Sequence, residues 1–265
     1  MTGDAWQPDQ YGKFAAERAQ PFWDLLDLVA RRPIRRAVDL GCGTGELTEA
    51  AATRLAVEDM VGIDSSPAML HRAAGRSRPG LRFAGGDIGS WSSGGDHDSM
   101  DLVLANASLH WVPDHAGALA RWWASLAPGG QLAVQMPANA DHPSHRVARE
   151  VAASQPFRDA CGGTPPPDPV AANVLAPEQY AILLDHLGAD RQHVRLQVYP
   201  HLLASSAEVV EWVKGTSLTR IFNALPAELH GPFLDEYRRR LLIAIGEGAP
   251  YFYPFKRILF WASKP

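Results

Sequence analysis

The chain is poor in cysteine, with only Cys42 and Cys161 in 265 residues. Two thiols supply neither a disulfide framework nor the paired spacing of a zinc site. No run of about 18 apolar residues occurs, so no membrane span is expected. The start, Met1 to Gln10, is polar apart from Trp6 and lacks a basic stretch followed by an apolar one. No secretory signal is therefore expected, and a cytoplasmic, reduced setting is the simplest account. Positive charge is not in excess either: 25 Lys and Arg stand against 29 Asp and Glu, a net charge of −4. That balance argues against nucleic acid as the main partner. No internal repeat is visible. What remains, 46% hydrophobic and 20% charged residues, is the profile of a globular chain with a sizeable core. Its length allows one large domain or one domain with a small cap.

Against these absences stands one dense segment, Ala37-Val38-Asp39-Leu40-Gly41-Cys42-Gly43-Thr44-Gly45. A short apolar run ends in a glycine turn and opens a helix, a layout that lets backbone approach a ligand closely. Two further strand-like runs end in acids, Asp64 and Asp87. The phosphate-binding P-loop pattern fails, because no Gly-Lys-Ser/Thr follows. The dinucleotide pattern G-x-G-x-x-G fails as well, because Glu46 occupies its third glycine position, where a carboxylate would repel a pyrophosphate. The turn thus suits a nucleoside carrying hydroxyls and an amine. Cys42, inside the turn, is read as a small side chain that fits there, not as a nucleophile.

Apolar spacing predicts a helix over 21–31, strands at 37–40, 60–63, 81–83, 101–105 and 131–136, and helices from 46, 67 and 113. Pro128-Gly129-Gly130 reads as a helix stop and turn. Residues 92–99, rich in Gly, Ser and Asp, read as a surface loop. After residue 137 the pattern loosens, with an ordered proline-rich loop at 156–169, a helix at 177–187 and strands at 194–199 and 258–262. Strands alternating with helices imply an α/β fold with a Rossmann-like, doubly wound, mostly parallel, seven-stranded sheet. The stretch 205–247 reads as a helical insertion before the last strand, with Val209, Val210, Trp212 and Val213 on one apolar face and Phe233, Tyr237 and Leu241 on another. The expected organisation is a core of 1–204 and 248–265, with an N-terminal lid segment, and a cap of 205–247.

The glycine turn and the three acids resemble the S-adenosylmethionine site of Rossmann-like methyltransferases. On that resemblance, Asp39 receives the amino group of the methionine moiety, Asp64 takes the two ribose hydroxyls, and Asp87 takes the adenine amine. Ile88 and Met69 pack the ring, and Gly41, Gly43, Gly45, Ser65 and Asn106 complete the cofactor site. Taken singly, each Asp is equally a helix cap or turn residue. Three at successive strand ends, where ligands of open parallel sheets bind, favour the cofactor reading. The base-holding Asn/Asp-Pro-Pro-aromatic motif is absent after the fourth strand. His110 and Trp111 stand there instead, facing the methyl-transfer centre as candidate catalytic or substrate residues. The bland alternatives are a satisfied structural histidine and a core tryptophan.

Several longer segments are similar to the trans-aconitate methyltransferase family. They are Trp6-x-Pro8-x-x-Tyr11-x-x-Phe14-x-x-Glu17-Arg18-x-x-Pro21, Gly62-Ile63-Asp64-Ser65-Ser66-Pro67-Ala68-Met69, Ala105-Asn106-Ala107-Ser108-Leu109-x-Trp111, Leu132-Ala133-Val134-Gln135-Met136-Pro137 and Glu211-Trp212-Val213-Lys214-Gly215-Thr216. The resemblance implies esterification of a carboxylate of trans-aconitate or a similar small polycarboxylic acid with the methyl group of S-adenosylmethionine. No metal is implied. The acid is already ionised near neutral pH, so the reaction needs cationic clamps and orientation more than a general base. Arg18, Arg220 and Arg257 are the candidate clamps, with Tyr11, His110, Trp111, Tyr199 and His201 as further donors. The chain departs from the family pattern at Ala138-Asn139, where Asp-Asn is usual, and at Ser217-Leu218-Thr219-Arg220, where Gly-Leu-Arg-Pro is usual. Two other functions stay open: methylation of a natural-product hydroxyl or amine, which needs a base, and a non-catalytic module that binds S-adenosylmethionine for a partner. Oligomeric state is not legible.

Overall fold

Seven strands lie in one sheet in the order β3-β2-β1-β4-β5-β7-β6. They are β1 (Arg36–Leu40), β2 (Asp59–Asp64), β3 (Leu81–Gly85), β4 (Met100–Asn106), β5 (Leu126–Pro137), β6 (Arg191–Leu203) and β7 (Tyr251–Ser263). The computed structural model describes residues 15–94, 99–215 and 217–265, with side chains from Ala19 onward. Within it β3, β2, β1, β4 and β5 run parallel and β7 lies antiparallel to β5. The helices are α1 (Ala15–Leu26), α2 (Glu46–Arg54), α3 (Pro67–Ala74), α4 (His115–Ala124), α5 (Pro143–Ala152), α6 (Phe157–Ala160), α7 (Pro169–Asn173), α8 (Pro177–His186), α9 (Glu208–Lys214), α10 (Thr219–Ala224) and α11 (His230–Ile245). None of these is long and apolar enough to cross a membrane.

The contacts divide into two units. One comprises Ala19–Ala138, Asn173–Gln197 and Arg257–Pro265. Its strands alternate, so that Val38, Leu40, Val61, Ile63, Val103, Val134 and Phe260 face one core with Trp122 of α4 and Tyr180 of α8. Side chains of the opposite parity point to the other face of the sheet. Asp39 is on that face, since it pairs in register with Leu104, two residues before Asn106. Asn106 pairs with Gln135, and Arg257 with Pro137, which continues the same parity. Asp39, Asn106, Gln135 and Arg257 therefore share one face, toward the end of the sheet at which the parallel strands finish.

The other unit includes Asn139–Ala172 and Val198–Lys256. Val209, Val210, Trp212, Val213, Phe233, Tyr237 and Leu241 are all buried in its core, as the apolar spacing predicts. The unit takes in more than the insertion. Helix α5 supplies Val147, Ala148, Val151 and Ala152 to the same core, and Tyr237 Oη donates to the Ser144 carbonyl at 2.9 Å. The sequence reading has no helix there. The signal is present, with Pro143 at the first turn and apolar residues at i, i+4 spacing, but the segment is short and bordered by His, Asp and Pro.

Two local expectations are corrected. Pro128-Gly129-Gly130 does not separate helix from strand, because β5 runs through it from Leu126. Gly129 takes φ +70° and Met100 pairs with Leu126 across a register shift, so the glycines form an irregularity inside the strand. The proline-rich loop 156–169 contains α6 and leads directly into α7. Of the surface loop expected at 92–99, residues 95–98 lie outside the described residues.

Candidate active site

The glycine turn is built as the sequence suggests, and each part has a mechanical reason. Gly41 has φ +86°, and a Cβ there would collide with the Cβ of Ser108. Ser108 cannot retreat, because its hydroxyl donates to the Leu40 carbonyl at 2.5 Å. The end of β4 is thereby clamped against the end of β1 by a contact that only glycine permits. Gly43 is the opposite case: at φ +55° a Cβ would meet nothing within 4 Å, so its backbone borders open space. Gly41→Ala is expected to destabilise the fold by about 1–3 kcal/mol through strain and overpacking. It is also expected to abolish cofactor binding, which thermal unfolding and calorimetric titration would measure together.

Asp64 ends β2 and organises the turn from the side. Its Oδ2 accepts from Gly43 N at 2.8 Å and its Oδ1 from Ser66 N at 2.8 Å. A carboxylate has lone pairs beyond these two bonds, so a diol can still be received there. Ser66 also caps α3 by accepting from Met69 N at 3.2 Å, and Met69 is buried in the first turn of that helix. Ser65 is exposed between them.

Asp39 is the most unusual group of the site. It is 3% exposed, and its Oδ2 accepts from the Thr48 hydroxyl of α2 at 2.6 Å. Its Oδ1 is buried with no hydrogen-bond partner among the described residues. Burial pushes the carboxyl up to about 6, the Thr48 bond pulls it part of the way back, and the nearby Asp64 charge adds to the rise. A buried carboxylate with one unanswered oxygen is costly unless a donor or cation arrives. An ammonium group meets that need.

Asp87 differs from the three-acid picture in one respect. Its Oδ1 accepts from Gly89 N at 3.0 Å and its Oδ2 from Ser90 N at 3.2 Å and the Ser90 hydroxyl at 2.9 Å. The Ser90 and Gly89 bonds hold it below the usual carboxylate range. Asp87 thus closes the turn after β3, and any contact to a base amine uses its remaining lone pairs. Ile88 packs against the core, and its carbonyl accepts from Trp122 Nε1 at 3.0 Å.

Beyond β4 the chain turns through Ala107 at φ 54°, a left-handed conformation rare for a residue with a Cβ. Its N–H donates to the Gln135 carbonyl at 2.8 Å. A single 3-10 turn, Leu109–Trp111, follows. His110 is buried with its carbonyl accepting from Asn173 Nδ2 at 2.9 Å, whereas Trp111 is 41% exposed, its ring 4.9 Å from that of His110. Trp111 is therefore not a core residue.

Arg257 opens the last part of β7 and is 8% exposed. Its Nη1 donates to Gln135 Oε1 at 3.0 Å, and Gln135 Nε2 donates to Asn106 Oδ1 at 2.7 Å. This buried polar chain joins a cation to the end of β4. Gln135 is the residue missed by sequence reasoning, which used it only as part of a resemblance. The available signal was a glutamine inside a run otherwise fit for a buried strand.

The other unit holds Tyr199, His201 and Arg220. Tyr199 and His201 are buried on β6, and the His201 ring lies 4.6 Å from that of Trp212. Arg220 Nη1 donates to the Pro166 carbonyl at 3.0 Å, and its Nη2 is 3.8 Å from Asp168 Oδ2. That same oxygen receives Arg149 Nη1 at 3.1 Å and faces His145 Nδ1 at 3.2 Å. Burial alone would raise Asp168, but His145 and Arg220 outweigh it and hold the carboxyl far below its usual range. Arg220 is thus a buried ion-pair partner, not a solvated charge. Tyr11 and the side chain of Arg18 lie outside the described residues.

The described residues contain no His/Cys/Asp/Glu cluster able to hold a metal ion. Both cysteines are free, and burial raises the Cys42 thiol far above the range of a reactive thiolate.

Residues 37–130 match a family model described as a methyltransferase domain. A trans-aconitate 2-methyltransferase of Deinococcus radiodurans is 43% identical over 262 residues, 98% of this chain and 98% of its own. One of Variovorax paradoxus is 41% identical over 237 residues, 89% of this chain and 88% of its own. Among solved structures, the YcgJ protein of Bacillus subtilis aligns with a TM-score of 0.58 at 14% identity, over 92% of this chain and 97% of that one, a likeness of fold.

Proposed function

The chain belongs to the trans-aconitate 2-methyltransferase family, and from that membership we propose that it esterifies one carboxylate of trans-aconitate with the methyl group of S-adenosylmethionine. The observation that carries the reading to this chain's own atoms is that Asp39, with a buried oxygen unanswered among the described residues, and the buried cation Arg257 lie on the same face and toward the same end of one sheet. The first fits an ammonium group, and the second fits an acid.

S-adenosylmethionine, when bound, supplies a methyl group activated by its sulfonium, which a carboxylate oxygen attacks as the methyl–sulfur bond breaks and its electron pair stays on sulfur. Asp39 Oδ1 holds the amino group of the methionine moiety, Asp64 the ribose hydroxyls, and Gly43 leaves room for the ligand against its backbone. Asp87, with Ile88 and Met69, borders the adenine. Arg257 grips a carboxylate of the acid, a geometry for which a guanidinium is suited. Trp111, exposed beside the turn, shields the reacting atoms from water. The two free thiols fit a reducing cytoplasm as the place of the reaction.

No proton has to be removed, because a carboxylic acid with a pKa near 4 is ionised at neutral pH. The rate is therefore set by proximity and orientation. The test is a pH profile with a histidine variant. kcat/KM for trans-aconitate is expected to be flat from about pH 7 to 9, and His110→Gln to lower it by less than about tenfold. A rate rising with pH, and lost in His110→Gln while S-adenosylmethionine still binds, would instead assign a hydroxyl or amine acceptor.

A further inference from the structure

The hydrogen bonds that run from Arg257 to Asn106 limit which acceptors the site takes. A guanidinium has donors only, so the Gln135 atom that faces Arg257 Nη1 at 3.0 Å is its carbonyl oxygen. The amide nitrogen of Gln135 then stands at its other end, 2.7 Å from Asn106 Oδ1. Gln135 is 1% exposed, so water does not offer it another arrangement. With Oδ1 of Asn106 committed to Gln135, its Nδ2, with two N–H groups, is what Asn106 presents elsewhere. The charge on Arg257 thus fixes the polarity of two amides in series.

Asn106 stands where a ligand is expected. The strand order reverses direction between β1 and β4, and ligands of open α/β sheets bind in the crevice outside the carboxyl ends of the strands at that point. Asn106 ends β4 there, on the face that carries Asp39. The following turn is pinned by Ala107 N to the Gln135 carbonyl at 2.8 Å, so strand and amide are registered together. Asn106 itself is only half-buried.

We infer that Gln135 is a positioning residue that turns Asn106 so that its N–H groups, not its carbonyl, meet the methyl acceptor, and that this polarity selects carboxylates over amines. The inference rests on the reading of this site as a carboxyl methyltransferase. The oxygen of the acid that does not take the methyl accepts from Asn106 Nδ2, while the other oxygen forms the new C–O bond. An amine would bring its own N–H groups against those of Asn106.

The test compares the wild type, Gln135→Glu, Gln135→Met, Asn106→Ala and the Gln135→Glu/Asn106→Ala double variant, with S-adenosylmethionine and trans-aconitate. The carboxylate introduced by Gln135→Glu can accept from Arg257 but cannot donate to Asn106, which must then turn its carbonyl toward the acceptor. Gln135→Glu is expected to raise KM for trans-aconitate about tenfold or more, with S-adenosylmethionine Kd within about twofold of the wild type. Gln135→Met imposes no polarity and is expected to raise KM less, the reverse of what shape alone dictates. The double variant is expected to match Asn106→Ala, because Gln135 acts through Asn106. A wild-type KM in Gln135→Glu, a larger defect in Gln135→Met, or effects that multiply in the double variant would overturn the inference. If Gln135→Glu does not fold, Asn106→Asp, which keeps the acceptor for Gln135, replaces it and is expected to raise KM at least as far; an unchanged KM there overturns it equally. A wild type that methylates another carboxylic acid but not trans-aconitate overturns the substrate reading alone, and the variants are then ranked with that acid. A wild type that methylates amines and no acid overturns both.

Discussion

Asp39→Asn is expected to weaken S-adenosylmethionine binding by about 100-fold or more, and at the same time to stabilise the ligand-free protein at pH 8. The two effects share a cause. In the wild type a buried carboxylate has one oxygen bonded to Thr48 and the other without a partner among the described residues. Its attraction for an ammonium group acts away from water, where losing one member of a charged pair typically costs about 2–5 kcal/mol. Without the ligand, the same charge is a liability. The carboxyl is raised from its ordinary 3.8 to about 6, so the folded chain holds a proton that the unfolded chain releases between those values. As pH rises through that window, the ligand-free fold loses about 3 kcal/mol that an unshifted aspartate would not lose. An uncharged asparagine escapes this loss. Cofactor affinity in the wild type is expected to fall as pH drops below about 6, by up to about tenfold per unit, and to be flat in Asp39→Asn. Calorimetric titration at pH 5 and 8, with thermal unfolding of the ligand-free proteins at the same pH values, measures both. An Asp39→Asn protein that binds S-adenosylmethionine normally, or is less stable at pH 8, would contradict the role given to this carboxylate.

Arg257→Met is expected to lower kcat/KM for trans-aconitate by about 100- to 1,000-fold with little change in S-adenosylmethionine Kd. Burial is again the cause. A substrate carboxylate drawn into a dry site without its cation incurs a desolvation cost of several kcal/mol, so the loss exceeds that of an exposed ion pair. Arg257→Lys is expected to lose nearly as much, because an ammonium cannot both satisfy Gln135 and grip a carboxylate as a planar fork does. The methionine variant also leaves Gln135 Oε1 without its donor, which costs about 1–3 kcal/mol of stability. Kinetics should therefore be read on protein whose unfolding temperature has been measured. Equal losses of cofactor affinity and of turnover would place Arg257 in the cofactor site and remove it from the acid clamp.

The parts of the fold that were legible in the sequence are those whose side chains repeat on one period or whose backbone tolerates only glycine. The short continuous apolar runs of β1, β2 and β4, each with an Asp or Asn at or next to its end, could be read because a parallel sheet covered on both faces demands them. Gly41 could be read because the turn needs a positive φ and Ser108 crowds it. The apolar faces of α9 and α11 appear at helical spacing and are buried as expected. What could not be read depends on partners distant in sequence. Gln135 looks like an ordinary polar residue until Asn106 and Arg257 are brought to it by strand register. Asp168, Arg149 and Arg220 meet only because α5, α7 and α10 converge, and nothing local to Arg220 reveals that it is engaged in an ion pair. Asp87 illustrates the converse. The residue follows β3 as the sequence suggests, and its bonds to Gly89 and Ser90 form the turn closure that a single aspartate in sequence equally suggests.

The most direct test of the central claim is to incubate the purified protein with S-adenosylmethionine and, separately, trans-aconitate, cis-aconitate, citrate and isocitrate, following S-adenosylhomocysteine release and the mass of the acid product. Rapid formation of a monomethyl ester from trans-aconitate is expected, one methyl group per S-adenosylhomocysteine released, with the other acids much slower. Protein that binds S-adenosylmethionine but forms no methyl ester from any of the four would contradict the claim.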